Sequence, residues 1–171
     1  YLTSGADGLT PGCFCEAWGV ADALSNTSGY TGADVGIQGI TSESFSATAT
    51  TATAVANAFN TFRVTHAFAP SSATSNIYEV KVTIENISSA PVEALYGRAM
   101  DWDVFPTQFS EYTTIQRGSS TALVFSSDNG FHTADPLESD PCILFVFFFF
   151  FDSGPTDHGA HFRFNFGTIA P

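Results

Sequence analysis

Tyr78-Glu79-Val80-Lys81-Val82-Thr83-Ile84-Glu85 decides the fold class. Large apolar side chains occupy every second position, with charged or hydroxyl side chains between them. That period of two turns one parity toward a core and the other toward water, which is the signature of a half-buried strand. Asn86-Ile-Ser-Ser-Ala-Pro91 ends the run as a turn. Upstream of it, Phe62, Val64, His66 and Phe68 alternate with Thr61, Arg63, Thr65 and Ala67 before a turn at Pro70-Ser-Ser72. Downstream, residues 92–104 place Tyr96, Met100, Trp102 and Val104 on one face and Asp101 and Asp103 on the other.

Working further out, shorter strands are expected at residues 111–116 and 121–126, followed by a turn at Asp128-Asn129-Gly130. A last strand sets Phe162, Phe164 and Phe166 opposite His161, Arg163 and Asn165. Residues 42–58 are almost all Ser, Thr and Ala, a composition that suits closely packed strands because Thr is β-branched and Ala is small. Residues 16–24 suggest one helical turn, stopped by Asn26-Thr-Ser-Gly29, and the Gly- and Thr-rich residues 1–12 read as a loose arm or edge strand. Many short strands without a long helix predict a single domain over 1–171. Its architecture is an antiparallel β-sandwich of about eight to ten strands, jelly-roll or immunoglobulin-like.

Composition narrows the function classes. The 171 residues carry 5 Lys+Arg against 17 Asp+Glu, a formal charge of −12 that repels nucleic acid and anionic lipid. Only 13% of residues are charged and Lys81 is the sole lysine, a balance expected of a sheet-rich extracellular protein. The chain opens at Tyr1 with no apolar leader, as a processed or incomplete product would. No stretch is long enough to span a membrane as a helix.

One stretch breaks the pattern. Cys142-Ile-Leu-Phe-Val-Phe147-Phe148-Phe149-Phe150-Phe151 has neither strand alternation nor helical period. It reads as a central strand covered on both faces or as a docking strand for another subunit, with Phe147, Phe148, Phe149, Phe150 and Phe151 as the assembly surface. Cys13, Cys15 and Cys142 allow at most one intrachain bridge, and Cys13 and Cys15 are poorly placed to bond each other. Either could reach Cys142. The expected pair is Cys15 to Cys142, which would stabilise by roughly 2–4 kcal/mol.

Asp101-Trp-Asp103 sets two carboxylates on one side of a strand, roughly 6.5–7 Å apart at the backbone. Such a pair suits calcium coordination or acid–base hydrolysis, and equally a plain polar outer face. Asp152-Ser-Gly-Pro-Thr-Asp157-His-Gly159 could wrap a cation through oxygen ligands, or cap its own turn. The expected metal residues are therefore Asp101, Asp103, Asp152 and Asp157, with calcium as the ion. His66, His132, His158 and His161 have no zinc-site spacing, His66 reads as a core residue, and there is neither a Gly-x-Ser-x-Gly elbow nor a phosphate-binding loop. Asn26-Thr-Ser28 and Asn86-Ile-Ser88 match the glycosylation acceptor pattern.

Several stretches together resemble secreted bacterial surface β-domain proteins of the type that often carry a PEP-type C-terminal sorting or anchor segment. They are Cys15-Glu-Ala-Trp-Gly-Val-Ala-Asp22, the 78–88 strand, Arg98-Ala-Met-Asp-Trp-Asp-Val104 with Pro106-Thr107, Ser127-Asp-Asn-Gly-Phe131, and the 152–159 loop running into 162–167. The chain departs from that pattern at Phe105, where an acidic residue is expected, and at 147–151, where a polar loop is expected. The resemblance implies an exported, non-catalytic β domain with no established active site. It also implies a further strand beyond Pro171, whose absence would leave an unpaired edge open to strand donation and filament growth. The leading expectation is a structural subunit of a surface layer, sheath or fibre, partnered by copies of itself or other surface proteins. The alternative is a carbohydrate- or protein-binding module ordered by calcium.

Overall fold

The computed structural model describes residues 16–32, 36–74, 77–103, 105–116, 118–128, 133–138, 155 and 157–171. Among these residues there are ten strands and no helix. The strands are β1 (Glu16–Asp22), β2 (Thr27–Gly32), β3 (Gly36–Gln38), β4 (Ile40–Ala47), β5 (Ala52–Ala58), β6 (Phe62–Pro70), β7 (Tyr78–Asn86), β8 (Val92–Asp101), β9 (Leu123–Ser127) and β10 (Gly159–Ile169). They form two antiparallel sheets, ordered β3-β2-β1-β8-β10-β9 and β4-β5-β6-β7, which pack as a β-sandwich. Among the described residues no helix is long and apolar enough to cross a membrane. The arm at 1–12, Cys13, Cys15, Cys142, Asp152, His132 and Phe147 to Phe151 lie outside the described residues, as do the expected bridge and assembly strand that depend on them.

In the four-stranded sheet β6 and β7 follow period-two burial, whereas β4 is exposed on both faces beyond Ile40 and β5 is half-buried as far as Asn57. Phe62, Val64 and His66 are buried on the sheet's inner face, and Val82 and Ile84 pack against the same core with Val20, Val92, Ala94 and Tyr96 from the other sheet. On its outer face Arg63 of β6 donates through Nε to Glu43 Oε2 of β4 at 3.0 Å, reaching across β5, and its Nη1 lies 3.7 Å from Glu85 Oε2 of the adjacent β7. The expected alternation fails only at Tyr78, which is 53% exposed because β7 begins there, opposite Pro70 at the end of β6. The Ser/Thr/Ala stretch forms β4 and β5 as expected. Their connecting turn is held by Thr48 Oγ1, which accepts from the amides of Thr50 and Thr51.

The six-stranded sheet is covered on both faces at its centre. Trp18 and Val20 of β1 face the other sheet, while Ala17 packs outward with Ala99 and Ala134. Gly19 and Gly97 are register partners on β1 and β8, and a Cβ on either would run into the Ala134 carbonyl, at 2.8 Å for Gly97. The two glycines thus form the seat on which residues 133–138 lie. The helical turn expected at 16–24 is instead β1 and the start of a β-turn, because hydrogen-bonded strands flank these residues on both sides. Asp22 closes that turn: its carboxylate accepts from Ser25 Oγ and from the amides of Leu24 and Glu93. Burial alone would raise its pKa, but these hydrogen bonds outweigh it and hold the group below its ordinary value.

β10 departs from simple alternation for the same reason. Its polar parity is covered: His161 is fully buried with its ring edge-on to Phe125, and Arg163 lies over Phe125 and donates to the Glu138 carbonyl. Phe164 reaches the core, whereas Phe166 is half exposed and stacks on Phe164. Residues 112–116, expected as a strand, are irregular.

Candidate metal centre

Antiparallel register places the first two carboxylates. Asp101, the last residue of β8, pairs with Gly159, the first of β10, so Asp157 arrives beside it two residues earlier in the chain. Asp103 follows just past the strand end, and the chain then reverses through the 105–110 turn. The Phe109 amide donates to Asp103 Oδ1 at 3.2 Å, with Phe109 itself in the left-handed region at φ 65°. A bulky residue is uncommon in that region and stays there only when its surroundings hold it. The reversal delivers Glu111, whose Oε1 accepts the His158 amide at 2.9 Å and whose Oε2 accepts the Ser110 amide at 2.8 Å.

One oxygen from each of Asp101, Asp103, Glu111 and Asp157 lies within 4.8 Å of the others. Asp101 and Asp103 are buried, 3% and 1% exposed, while Asp157 opens the cluster to solvent. Burial, and then the charges of Asp103, Asp157 and Glu111, push the Asp101 carboxyl up to about 6. Asp157 is raised by the same causes, burial first and then Asp103 and Glu111, against an opposing pull from His158. Like charges this close repel by about 1 kcal/mol per pair in water and about 4 kcal/mol at an effective dielectric near 20.

The chain matches no protein-family model, no curated protein and no solved structure.

The donor set is made only of carboxylate oxygens, which suits a hard cation such as calcium and offers no nitrogen or sulfur for zinc. Four carboxylates, each able to bind through one or two oxygens, approach the six to eight oxygens calcium takes. Two histidines are engaged elsewhere: His66 Nε2 pairs with Tyr96 Oη at 2.8 Å, and His158 Nδ1 lies 3.6 Å from Asp128 Oδ2.

Of the expected ligands, Asp101, Asp103 and Asp157 come together; Asp101 and Asp103 are buried and not on a solvated outer face, while Asp157 is exposed. Glu111 was not among them. No local spacing announces it, because its position depends on the reversal at 105–110 and on the hydrogen bond from His158, which is distant in sequence. The acceptor pattern at Asn86 has a structural use: its Nδ2 donates to the Ala90 carbonyl and its Oδ1 accepts from the Ser88 amide.

Proposed function

We propose that this chain is a non-catalytic structural β-sandwich subunit, exported to the cell surface, whose loop-bearing end is pinned by calcium. The observation that carries this reading is the meeting of Asp101, Asp103, Glu111 and Asp157, drawn from three separate stretches of chain. Without a cation that meeting opposes folding; with one it ties the end of β8, the 105–111 loop and the start of β10 together. Extracellular calcium modules work at Kd values of about 10⁻⁴–10⁻³ M, where a solvent-open site built from surface loops suffices. The acidic balance and the single lysine support an exported setting.

Assembly into a fibre has its own support. β4 and β7 are the outer strands of the four-stranded sheet, so each carries an unpaired edge among the described residues. β4 has eight residues with Glu43 as its only charge, weak protection for an exposed edge. Pairing of β4 in one copy with β7 of the next repeats head to tail, a contact that yields a filament of copies of the chain when its rotation does not close into a ring.

Thermal melting in calcium against chelator tests the ion: calcium should raise the midpoint by several degrees, and an unchanged midpoint removes it from the reading. Electron microscopy tests the assembly, with wild type forming long regular polymers and Ser46→Pro on β4 forming none. Discrete wild-type particles under every calcium condition would refute the filament.

A further inference from the structure

Between the two sheets, at the end opposite the Val20, Phe62 and Val92 core, lies a cleft of about 600 Å³. Its walls are unlike the rest of the interior. Trp18, Phe68 and Ile37 supply apolar surface, and Glu16 and Arg98 supply an ion pair at the mouth, both from the six-stranded sheet. The floor rests on a polar chain centred on the buried Tyr96: Arg98 Nη1 donates to Tyr96 Oη at 3.4 Å, and Tyr96 Oη meets His66 Nε2 at 2.8 Å. Trp18 is fixed over that floor, 4.8 Å from the His66 ring centroid and stacked on Tyr96 at 6.5 Å.

We propose that this cleft binds a neutral saccharide of one or two pyranose units. The volume falls within the range of about 300–1,000 Å³ typical of small-ligand sites. The lining selects among ligand classes. Arg98 is neutralised by Glu16 and the chain carries a net charge of −12, so an anion gains nothing there. A purely apolar ligand would strip water from Glu16 and Arg98 without replacing it, which opposes its binding. A sugar satisfies both halves: its C–H faces lie on Trp18 and Phe68, and its hydroxyls donate to Glu16 and accept from Arg98. Ile37, 72% exposed on β3, forms the apolar lip over which it enters. The site is separate from the carboxylate cluster, so it stands or falls independently of calcium.

The test is amide-shift mapping by NMR on the full chain, with glucose, galactose, N-acetylglucosamine and cellobiose each at about 10 mM, where a Kd near 1 mM saturates. At least one sugar should shift the amides of Ile37, Ala54, Phe68 and Arg98 and leave those of the 105–111 loop in place. Phe68→Ala, at the half-buried end of β6, should weaken that sugar about tenfold with the spectrum otherwise folded. Glu16→Gln, which keeps the shape and removes the charge, should weaken it as well. The proposal is overturned if no sugar moves these amides, if the shifts map elsewhere, or if Phe68→Ala and Glu16→Gln both bind as wild type. It is also overturned if an extended peptide shifts the cleft amides where the sugars do not.

Discussion

The two sheets of this sandwich are buried differently. Along β6 and β7 the four-stranded sheet has one covered face and one wet face: Phe62, Val64 and His66 point in, while Arg63 bridges Glu43 and Glu85 outside. The six-stranded sheet is covered on both faces along β1, β8 and β10, by the opposite sheet on one side and by residues 133–138 on the other. The six-stranded sheet also buries polar groups, Asp101 and His161 on its strands and Asp103 just past the end of β8.

The sharpest break of this comparison is steric. Gly97→Val puts a branched side chain against the Ala134 carbonyl and should cost about 3 kcal/mol or more in urea unfolding. Thr83→Val, exposed on the outer face of β7, should change stability by less than about 0.5 kcal/mol. Equal costs at the two positions would deny that residues 133–138 cover the sheet.

A second contrast is electrostatic. In chelator, Asp101→Asn relieves repulsion and should stabilise the chain by about 1–2 kcal/mol, whereas in saturating calcium the same substitution should destabilise it. A change of the same sign under both conditions, read from melting midpoints, would argue against a cation there.

Acidification sharpens the comparison further, because each sheet contributes one group with opposite sign. Burial pushes His66 down to about 4 from 6.5, so the stability it supplies is complete above about 6.5 and drains as pH falls toward 4. Asp101 is pushed up to about 6 from 3.8, so its ionisation opposes folding above about 6 and that opposition fades as pH falls toward 3.8. In chelator, His66→Gln should therefore grow more stable between pH 6.5 and 4, and Asp101→Asn less stable. Parallel slopes in the two variants would contradict the assignment.

The smallest effect belongs to the outer-face ion pairs. Arg63→Met should leave the melting midpoint within error in moderate salt, because its partners sit in solvent.

The same division explains what could be read from the residues alone. Alternation from Phe62 to Phe68 and from Val80 to Ile84 is visible because water enforces it on one face. Where both faces are dry the signal blurs: β1 resembles a helical turn, and the outward parity of β10 passes for a wet face although His161 is fully buried. Gly19 and Gly97 carry no motif, and their role appears only once Ala134 is laid over them. Asp101, Asp103 and Asp157 stand out by their spacing, while Glu111, like the pairing of Trp18 with His66 across the sheets, depends on contacts between distant parts of the chain.

The most direct test of the central claim is calorimetric titration of calcium into the wild-type chain and into the Asp101→Asn/Asp103→Asn double variant. One site per wild-type chain, with a Kd of about 10⁻⁴–10⁻³ M and no heat in the double variant, is the predicted result. Indistinguishable isotherms for the two proteins would contradict it.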